Sequence, residues 1–438
     1  MKYRIQILLL LLTTVAFAQE KQWTLQECVN YALENNITVK QTQLNTLTNE
    51  QELIAAKGQF LPSLSASVSQ SLSLGTAEVF SGSFVDRTNH SSNMGISITQ
   101  NLFSGFRTLN LYKQAQLNIE ASKIELDKIK DNISLNVVNN YLNILFNKEN
   151  LSTSKVQLDF SQKQFERVQK LVDAGVQPKG DLLDLEATIA SDEQRMVAAQ
   201  NNLILAKLGL AQLLQLPATG FDVAAVNVGL PSFDLLYTSG ASIYDTAVQN
   251  RNEIKSAEKR IEITKLSEEI AKSSYMPSLS FSYGFNTAAN FSNLSGSNSY
   301  FQQINDNKGH NLRLNLSIPI FSRFQNKTAV AKNKIQQENS QLNLEQVKLN
   351  LQSNIERAFT DAKAALKAYE AAEKSLKAQD LSLKNIQGKF SIGAANSFDL
   401  DQARTKLVNA KASLTKSKYD FVFKTKVLDF YVGKPLFD

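Results

Sequence analysis

Ser63-Leu64-Ser65-Ala66-Ser67-Val68-Ser69-Gln70-Ser71-Leu72-Ser73-Leu74 carries serine at every odd position and, Gln70 apart, an apolar residue at every even one. A period of two gives a β-strand one apolar and one polar face. Three further segments read the same way. Met94, Ile96, Ile98 and Leu102 alternate with Gly95, Ser97, Thr99 and Asn101; Leu279, Phe281, Tyr283 and Phe285 alternate with Ser278, Ser280, Ser282 and Gly284. Leu312, Leu314, Leu316, Ile318 and Ile320 alternate with Asn311, Arg313, Asn315 and Ser317. Strands are therefore expected at about 63–74, 93–103, 278–286 and 311–320. Strands of roughly 9–12 residues suit a tilted crossing of a bilayer core. One such pattern fits a soluble hairpin with a wet face, but four behind an export signal favour a membrane.

That signal is at the start. Lys2 and Arg4 precede the apolar run Ile5 to Val15, and Ala16-Phe17-Ala18 is a small-x-small cleavage site. Residues 1–18 thus read as a secretory signal peptide cleaved after Ala18. No other window holds about 18 consecutive apolar residues, so membrane insertion must be as a barrel. Cys28 is the one cysteine of 438 residues, which excludes a disulfide framework and a cysteine zinc cluster. It lies nine residues beyond Gln19, a poor position for a lipid anchor. His90 and His310 are the only two histidines and have no partner ligands near them in sequence. No catalytic residue, cofactor or metal site is expected, and a hydrolase fails for want of a site. Lys and Arg number 47 against 41 Asp and Glu, net +6, without a polybasic run, so nucleic acid is excluded as a partner.

The chain repeats itself. Phe60-Leu61-Pro62-Ser63-Leu64-Ser65 returns as Tyr275-Met276-Pro277-Ser278-Leu279-Ser280, at an offset of 215. Asn101-Leu102-Phe103-Ser104 answers Pro319-Ile320-Phe321-Ser322, and Gly175 with Asp181-Leu182 answers Gly393 with Asp399-Leu400, both at 218. Pro217 answers Pro435. An offset held this far signals duplication. The expected organisation is a first repeat over 19–217, a linker over 218–241 and a second repeat over 242–438. Each reads helix, strand, strand, long helix, turn, helix. Thr24-Leu25-Gln26-Glu27 is a capping box that opens a helix reaching about Phe60. Its counterpart runs from Ser242 to Tyr275, and Pro62 and Pro277 end the two. Gly75–Ser92 and Asn286–Gly309, rich in Ser, Asn and Gly, read as long loops between strands.

Long helical hairpins are expected at about 104–216 and 322–432. Ser104–Asp173 is 70 residues, while Pro178–Leu216 at 39 and Leu25–Gln59 at 35 together nearly match it. The second repeat, with a long helix over 322–391 and shorter ones over 396–432 and 242–275, has the same proportions. One long helix beside two short ones stacked end to end makes a two-column rod of roughly 105 Å at 1.5 Å per residue. Leu182, Ile189, Met196, Leu203 and Leu210 recur every seven residues, as do Leu400, Leu407, Leu414, Phe421 and Leu428. A second seam is small or polar: Leu185, Asp192, Ala199, Ala206 and Leu213, then Ala403, Ala410, Ser417, Lys424 and Tyr431. Such heptads form coiled coils. Four strands cannot close a barrel, which needs about eight, and lipid does not tolerate an open sheet edge, so several copies must pool their strands.

The order, duplication and spacing of particular motifs carry a family resemblance. The segment Trp23-Thr24-Leu25-Gln26-Glu27-Cys28-Val29-Asn30-Tyr31-Ala32-Leu33-Glu34-Asn35-Asn36, the step Phe60–Leu64, and the turns Ala174-Gly175-Val176 through Leu183 and Ile392-Gly393-Ala394 through Leu400 resemble TolC-type outer-membrane efflux proteins. The resemblance spans essentially the whole mature chain. It implies a mainly α fold with a transmembrane β-barrel: a homotrimer of a 12-stranded barrel over a helical coiled-coil tunnel in the periplasm. It also implies the outer membrane of a Gram-negative bacterium, a periplasmic adaptor (membrane fusion) protein and an inner-membrane pump of RND, ABC or similar type. The chain itself has no phosphate-binding loop, so a partner must supply energy.

The same resemblance places adaptor docking at the turns, on Gly175, Val176, Arg167, Leu171, Gly393, Ala394, Lys389 and Phe390. It places a ring of carboxylates at the periplasmic aperture, with Asp399 at the matching position and Asp181 its equivalent in the first repeat. Such a ring focuses field and favours cations. Two departures are visible: Gln402 replaces a second carboxylate one turn on, and Ala395 stands where some members carry a latching arginine. Asp401 points roughly 200° around the helix from Asp399. The expected function is a passive export duct for small molecules or proteins. The alternative is an exported coiled-coil structural or adhesin protein without a pore, separated from the first by lipid-spanning strands.

Overall fold

The computed structural model describes residues 21–225, 237–395 and 397–434. The signal peptide, the middle of the linker, the Asn396 helix start and Pro435 lie outside the described residues. In chain order the elements are β1 (Gln22–Trp23), α1 (Leu25–Asn35), α2 (Ile37–Gly58), β2 (Ser63–Phe80), β3 (Ser83–Ser104), α3 (Arg107–Asp173) and α4 (Gly180–Leu214). There follow β4 (Asp222–Val223), α5 (Gly240–Asn250), α6 (Asn252–Lys272), β5 (Ser278–Ser292), α7 (Tyr300–Asp306), β6 (Gly309–Ser317), α8 (Gln325–Ser391) and α9 (Ser397–Val432). Two compact units result: a helical one of Met1–Gln43, Glu125–Lys255 and Gln346–Asp438, and one holding the long strands, of Leu44–Ile124 and Ser256–Glu345.

The strand unit contains one antiparallel sheet in the order β2-β3-β5-β6. Residues paired across a ladder point to the same side, so the register assembles the alternations into two faces. Leu64, Ile98, Tyr283 and Leu312 form one apolar row, Ala66, Ile96 and Phe285 the next, and His310 closes the latter. On the opposite face Ser65, Ser97, Gly284 and Asn311 share a row, with Ser63, Thr99, Ser282 and Arg313 beside it. The serines serve one another there, Ser65 Oγ lying 2.8 Å from Ser97 Oγ and Ser71 Oγ 2.6 Å from Ser91 Oγ. The apolar rows are open: Leu64 is 71% exposed, Val68 72% and Leu312 71%.

The hairpins differ from the loops expected over Gly75–Ser92 and Asn286–Gly309. β2 and β3 continue to a turn at Ser81 and Gly82, with Phe80 paired to Ser83. The serine and threonine that read as loop instead line strand faces, and Gly82, at φ +83°, takes the left-handed conformation at the end of that turn, which glycine adopts without steric cost. β5 runs on to Ser292, and α7 occupies part of the second expected loop. His90 and His310 lie inside β3 and β6, and His310 Nδ1 shares a 2.9 Å hydrogen bond with Tyr283 Oη. β6 stops at Ser317, short of the expected 320, because Pro319 has no N–H to extend a ladder.

Both strand-to-helix junctions use consecutive left-handed residues, which delay the long helices by a few positions. Gly105 and Phe106 have φ of +61° and +66°, and their equivalents Arg323 and Phe324 have +50° and +62°. A Cβ on Gly105 would lie 2.5 Å from Met276 Cβ, so that junction admits only glycine. Phe103 meets Phe106 edge-on at 5.4 Å, as Phe321 meets Phe324 at 5.9 Å.

In the helical unit the capping box forms as expected, Glu27 N–H donating to Thr24 Oγ1 at 3.2 Å and Thr24 N–H to Glu27 Oε2 at 2.8 Å. The helix it opens is broken at Asn36, and its counterpart at Arg251, 215 residues later; both have extended ψ, 132° and 135°. Asn36 Oδ1 accepts from Thr38 N–H, capping α2 as a helix-start asparagine does. Cys28, Ala32, Val137, Tyr141, Ile144, Leu210 and Leu214 form a fully buried core. Burial pushes the Cys28 thiol up to about 12, leaving it unreactive. The linker contributes β4, which pairs in parallel with β1. Tyr141 Oη donates to the Ala224 carbonyl at 2.6 Å and lies 3.1 Å from that of Trp23, pinning this small sheet to α3.

Candidate aperture and docking tips

The two hairpin turns are built alike. After α3, Ala174 N–H donates to Lys170 O, Gly175 N–H to Val172 O at 2.9 Å, and Val176 N–H to Leu171 O at 2.8 Å. After α8, Gly393 N–H donates to Phe390 O at 3.1 Å and Ala394 N–H to Lys389 O at 2.8 Å. This six-to-one closure satisfies helix-end carbonyls and needs a left-handed residue just past the end. Gly175 and Gly393 supply it, both at φ +73°. A Cβ on either meets nothing within 4 Å, so both turns face open space.

Val176, Ala394, Arg167 and Lys389 are exposed, while Leu171 and Phe390 are half-buried. The Arg167 guanidinium stacks over the Phe390 ring at 5.0 Å, tying one hairpin to the other. Ile392, Leu183 and Phe398 add exposed apolar surface that sequence reasoning missed, at 79%, 67% and 70%. Leu183 and Phe398 carried a signal: both stand off the heptad seams of their helices, where an isolated soluble helix favours polar residues.

Asp181 lies in the first turn of α4 and Asp399 in that of α9, both half-buried, where the positive helix end favours a carboxylate. Gln402 is exposed and accepts from Lys406 Nζ at 3.3 Å. Its counterpart at the 218 offset is Asp184, exposed one turn beyond Asp181, so the first repeat keeps the carboxylate pair that the second lacks. Asp401 instead lines a groove of about 240 Å³ between the hairpins, with Phe160, Ser161, Leu185 and Thr405. Close by, the buried Asp192 accepts from Ser161 Oγ at 2.6 Å, and Arg404 stacks over Phe160 at 5.4 Å.

Burial pushes the Asp401 carboxyl up to about 6, against the opposing pull of Arg404 and Arg167. The folded chain therefore holds this proton to about pH 6, whereas the unfolded carboxyl loses it near 3.8. Stability then falls as pH rises between those values, the reverse of an ion-paired aspartate. Hydrogen exchange over residues 385–410, corrected for intrinsic rates, is expected to show more protection at pH 5 than at pH 7.5. Asp401→Asn should make the two pH values alike; an undiminished difference would assign the effect elsewhere.

Among the described residues no group of three or more His, Cys, Asp or Glu is placed to hold a metal ion, and no helix is long and apolar enough to cross a membrane. The chain joins an amphipathic four-stranded sheet to two long helical hairpins. The outer membrane efflux protein family matches residues 28–215 and 243–433, one segment per repeat, and the chain belongs to that family. It is 23% identical over 392 residues to Protein CyaE of Bordetella pertussis, covering 88% of this chain and 79% of that one. Against the outer membrane efflux protein BepC of Brucella suis identity is 18% over 405 residues, 92% and 84% of the two chains. The Campylobacter jejuni CmeC outer membrane channel shares the fold with a TM-score of 0.80 at 17% identity, over 94% of this chain and 87% of the other. The open-state Neisseria gonorrhoeae MtrE channel does so at 0.74 and 19%, over 94% and 89%. The protein is thus an outer membrane efflux protein with a duplicated repeat, and not an enzyme.

Proposed function

We propose that three copies pool their sheets into a 12-stranded barrel, with the hairpins forming a periplasmic duct that an adaptor couples to an inner-membrane pump. The observation that carries this reading is the sheet: one face is apolar and open over the rows of Leu64, Val68 and Leu312, and β2 and β6 leave both edges unpaired. Hydrocarbon tolerates such a sheet only when the edges find each other in neighbouring copies. The polar face, with its serines, Asn311 and Arg313, then lines an aqueous lumen. The signal peptide directs the chain across the inner membrane and is removed after Ala18.

At the tips, Gly175, Val176, Leu171 and Arg167 of the first repeat and Gly393, Ala394, Lys389 and Phe390 of the second present exposed backbone, cations and apolar surface to the adaptor. Asp181 and Asp399, brought together by symmetry, ring the aperture, with Gln402 and Asp184 one turn on. Asp401 belongs to the packing between hairpins more than to the ring. In a planar bilayer, wild-type channels are expected to prefer cations, and Asp399→Asn to weaken that preference while barrel conductance persists. Unchanged selectivity in the variant would remove Asp399 from the gate.

A further inference from the structure

The apolar sheet face is not uniformly bare. Ser92, Thr287 and Ala289 occupy its rows, by register with Gln70 and Met94, and are only 5%, 5% and 0% exposed. What covers them is α7. Ser92 Oγ lies 3.1 Å from Tyr300 Oη, and Thr287 Oγ1 donates to Ile304 O at 2.5 Å. Two polar interruptions of this face, Ser92 and Thr287, therefore fall under a helix that lies on the apolar side, not over the serine-lined face, where Asn93 and Asn290 remain exposed.

α7 also completes the sheet. β6 begins at Gly309, opposite Asn286, so β5 from Thr287 to Ser292 has no strand on that side. There Asn290 N–H donates to Gln303 Oε1 at 2.8 Å, and Asn307 Nδ2 donates to Ala288 O at 2.7 Å. Pairing of this edge matters most where water is scarce. The outward surface of the helix is aromatic: Phe301 is 82% exposed, Tyr300 meets it edge-on at 5.6 Å, and Phe291 stacks on Tyr300 at 6.5 Å. These groups lie toward the hairpin end of the run Leu64–Leu74, and Lys308 follows the helix, exposed. Aromatic rings beside an apolar band, with polar groups beyond, match the boundary between acyl chains and headgroups.

We infer that α7 is a lipid-interface helix, lying on the outer wall of the barrel and inserting Phe301 into the acyl–headgroup boundary of the outer leaflet. The inference rests on the proposed barrel, and on continuity between α7 and the apolar face that barrel turns to lipid.

The test is nitroxide accessibility in the full-length protein reconstituted into phosphatidylcholine vesicles. Native Cys28 can stay, because its buried thiol resists labelling. Labels are placed singly through Phe301→Cys, Val68→Cys and Ser81→Cys, all at exposed positions. The label at position 301 is expected to be relaxed more by oxygen than by a water-soluble nickel chelate, by a smaller margin than at 68 and with the opposite preference to the turn at 81. A label at 301 as chelate-accessible as that at 81 would place α7 in water and overturn the inference. Shielding of position 301 from both relaxants would assign a protein neighbour and overturn it equally. If position 68 is itself chelate-accessible, the barrel reading fails first.

Discussion

Val68→Arg is expected to prevent stable insertion of the channel, while Ser69→Arg, one residue along, leaves it assembled. Val68 is central to the apolar run of β2 and 72% exposed; Ser69 stands on the serine-lined face. An arginine at the bilayer midplane of a barrel costs about 2–4 kcal/mol on the lipid face. In the proposed trimer the cost is multiplied to a size comparable with the whole stability of a domain. A lumenal arginine keeps its hydration and perturbs selectivity instead. Outer-membrane yield and the heat resistance of the assembled particle read the contrast. Equal tolerance of both substitutions would mean that the apolar face does not meet lipid.

Gly393→Val should silence efflux with the barrel intact. The cost is local, because a Cβ at this position meets no neighbour and the strain lies in holding a β-branched residue at φ +73°. Left-handed strain of this kind amounts to roughly 1–3 kcal/mol, enough to reshape a surface turn and too little to unfold a chain whose main core lies around Tyr141 and Leu210. In cells that depend on this channel, a fluorescent efflux substrate is expected to accumulate nearly as in a deletion strain, while the purified particle keeps its mass. Loss of the particle would make the turn purely structural. Full efflux would remove the turn from the docking surface.

The features legible in the sequence were those set by local rules. Alternation along Ser63–Leu74 defined both sheet faces because side-chain direction in a strand has period two. Gly175 and Gly393 marked the hairpin turns because a helix end of this kind requires a left-handed residue. The turn at Ser81-Gly82 was hidden by serine, which serves loops and polar strand faces alike. The break at Asn36 resembled a continuous amphipathic helix until its capping bond to Thr38 was visible. α7 was obscured because Tyr300 and Phe301 sit among Asn, Ser and Gly, and its helical form depends on edge groups of β5. The environment of Asp401 was beyond local reading altogether: Phe160 and Ser161, some 240 residues earlier in the chain, create the burial that raises its carboxyl. Asp184, by contrast, was recoverable from the 218-residue offset alone.

Light scattering of the detergent-extracted particle, corrected for bound detergent, tests the shared barrel most directly. The proposed pooling of three sheets predicts a mass of about three chains, recovered from the outer-membrane fraction. A monomer that stays soluble without detergent would contradict the account and leave an exported coiled coil.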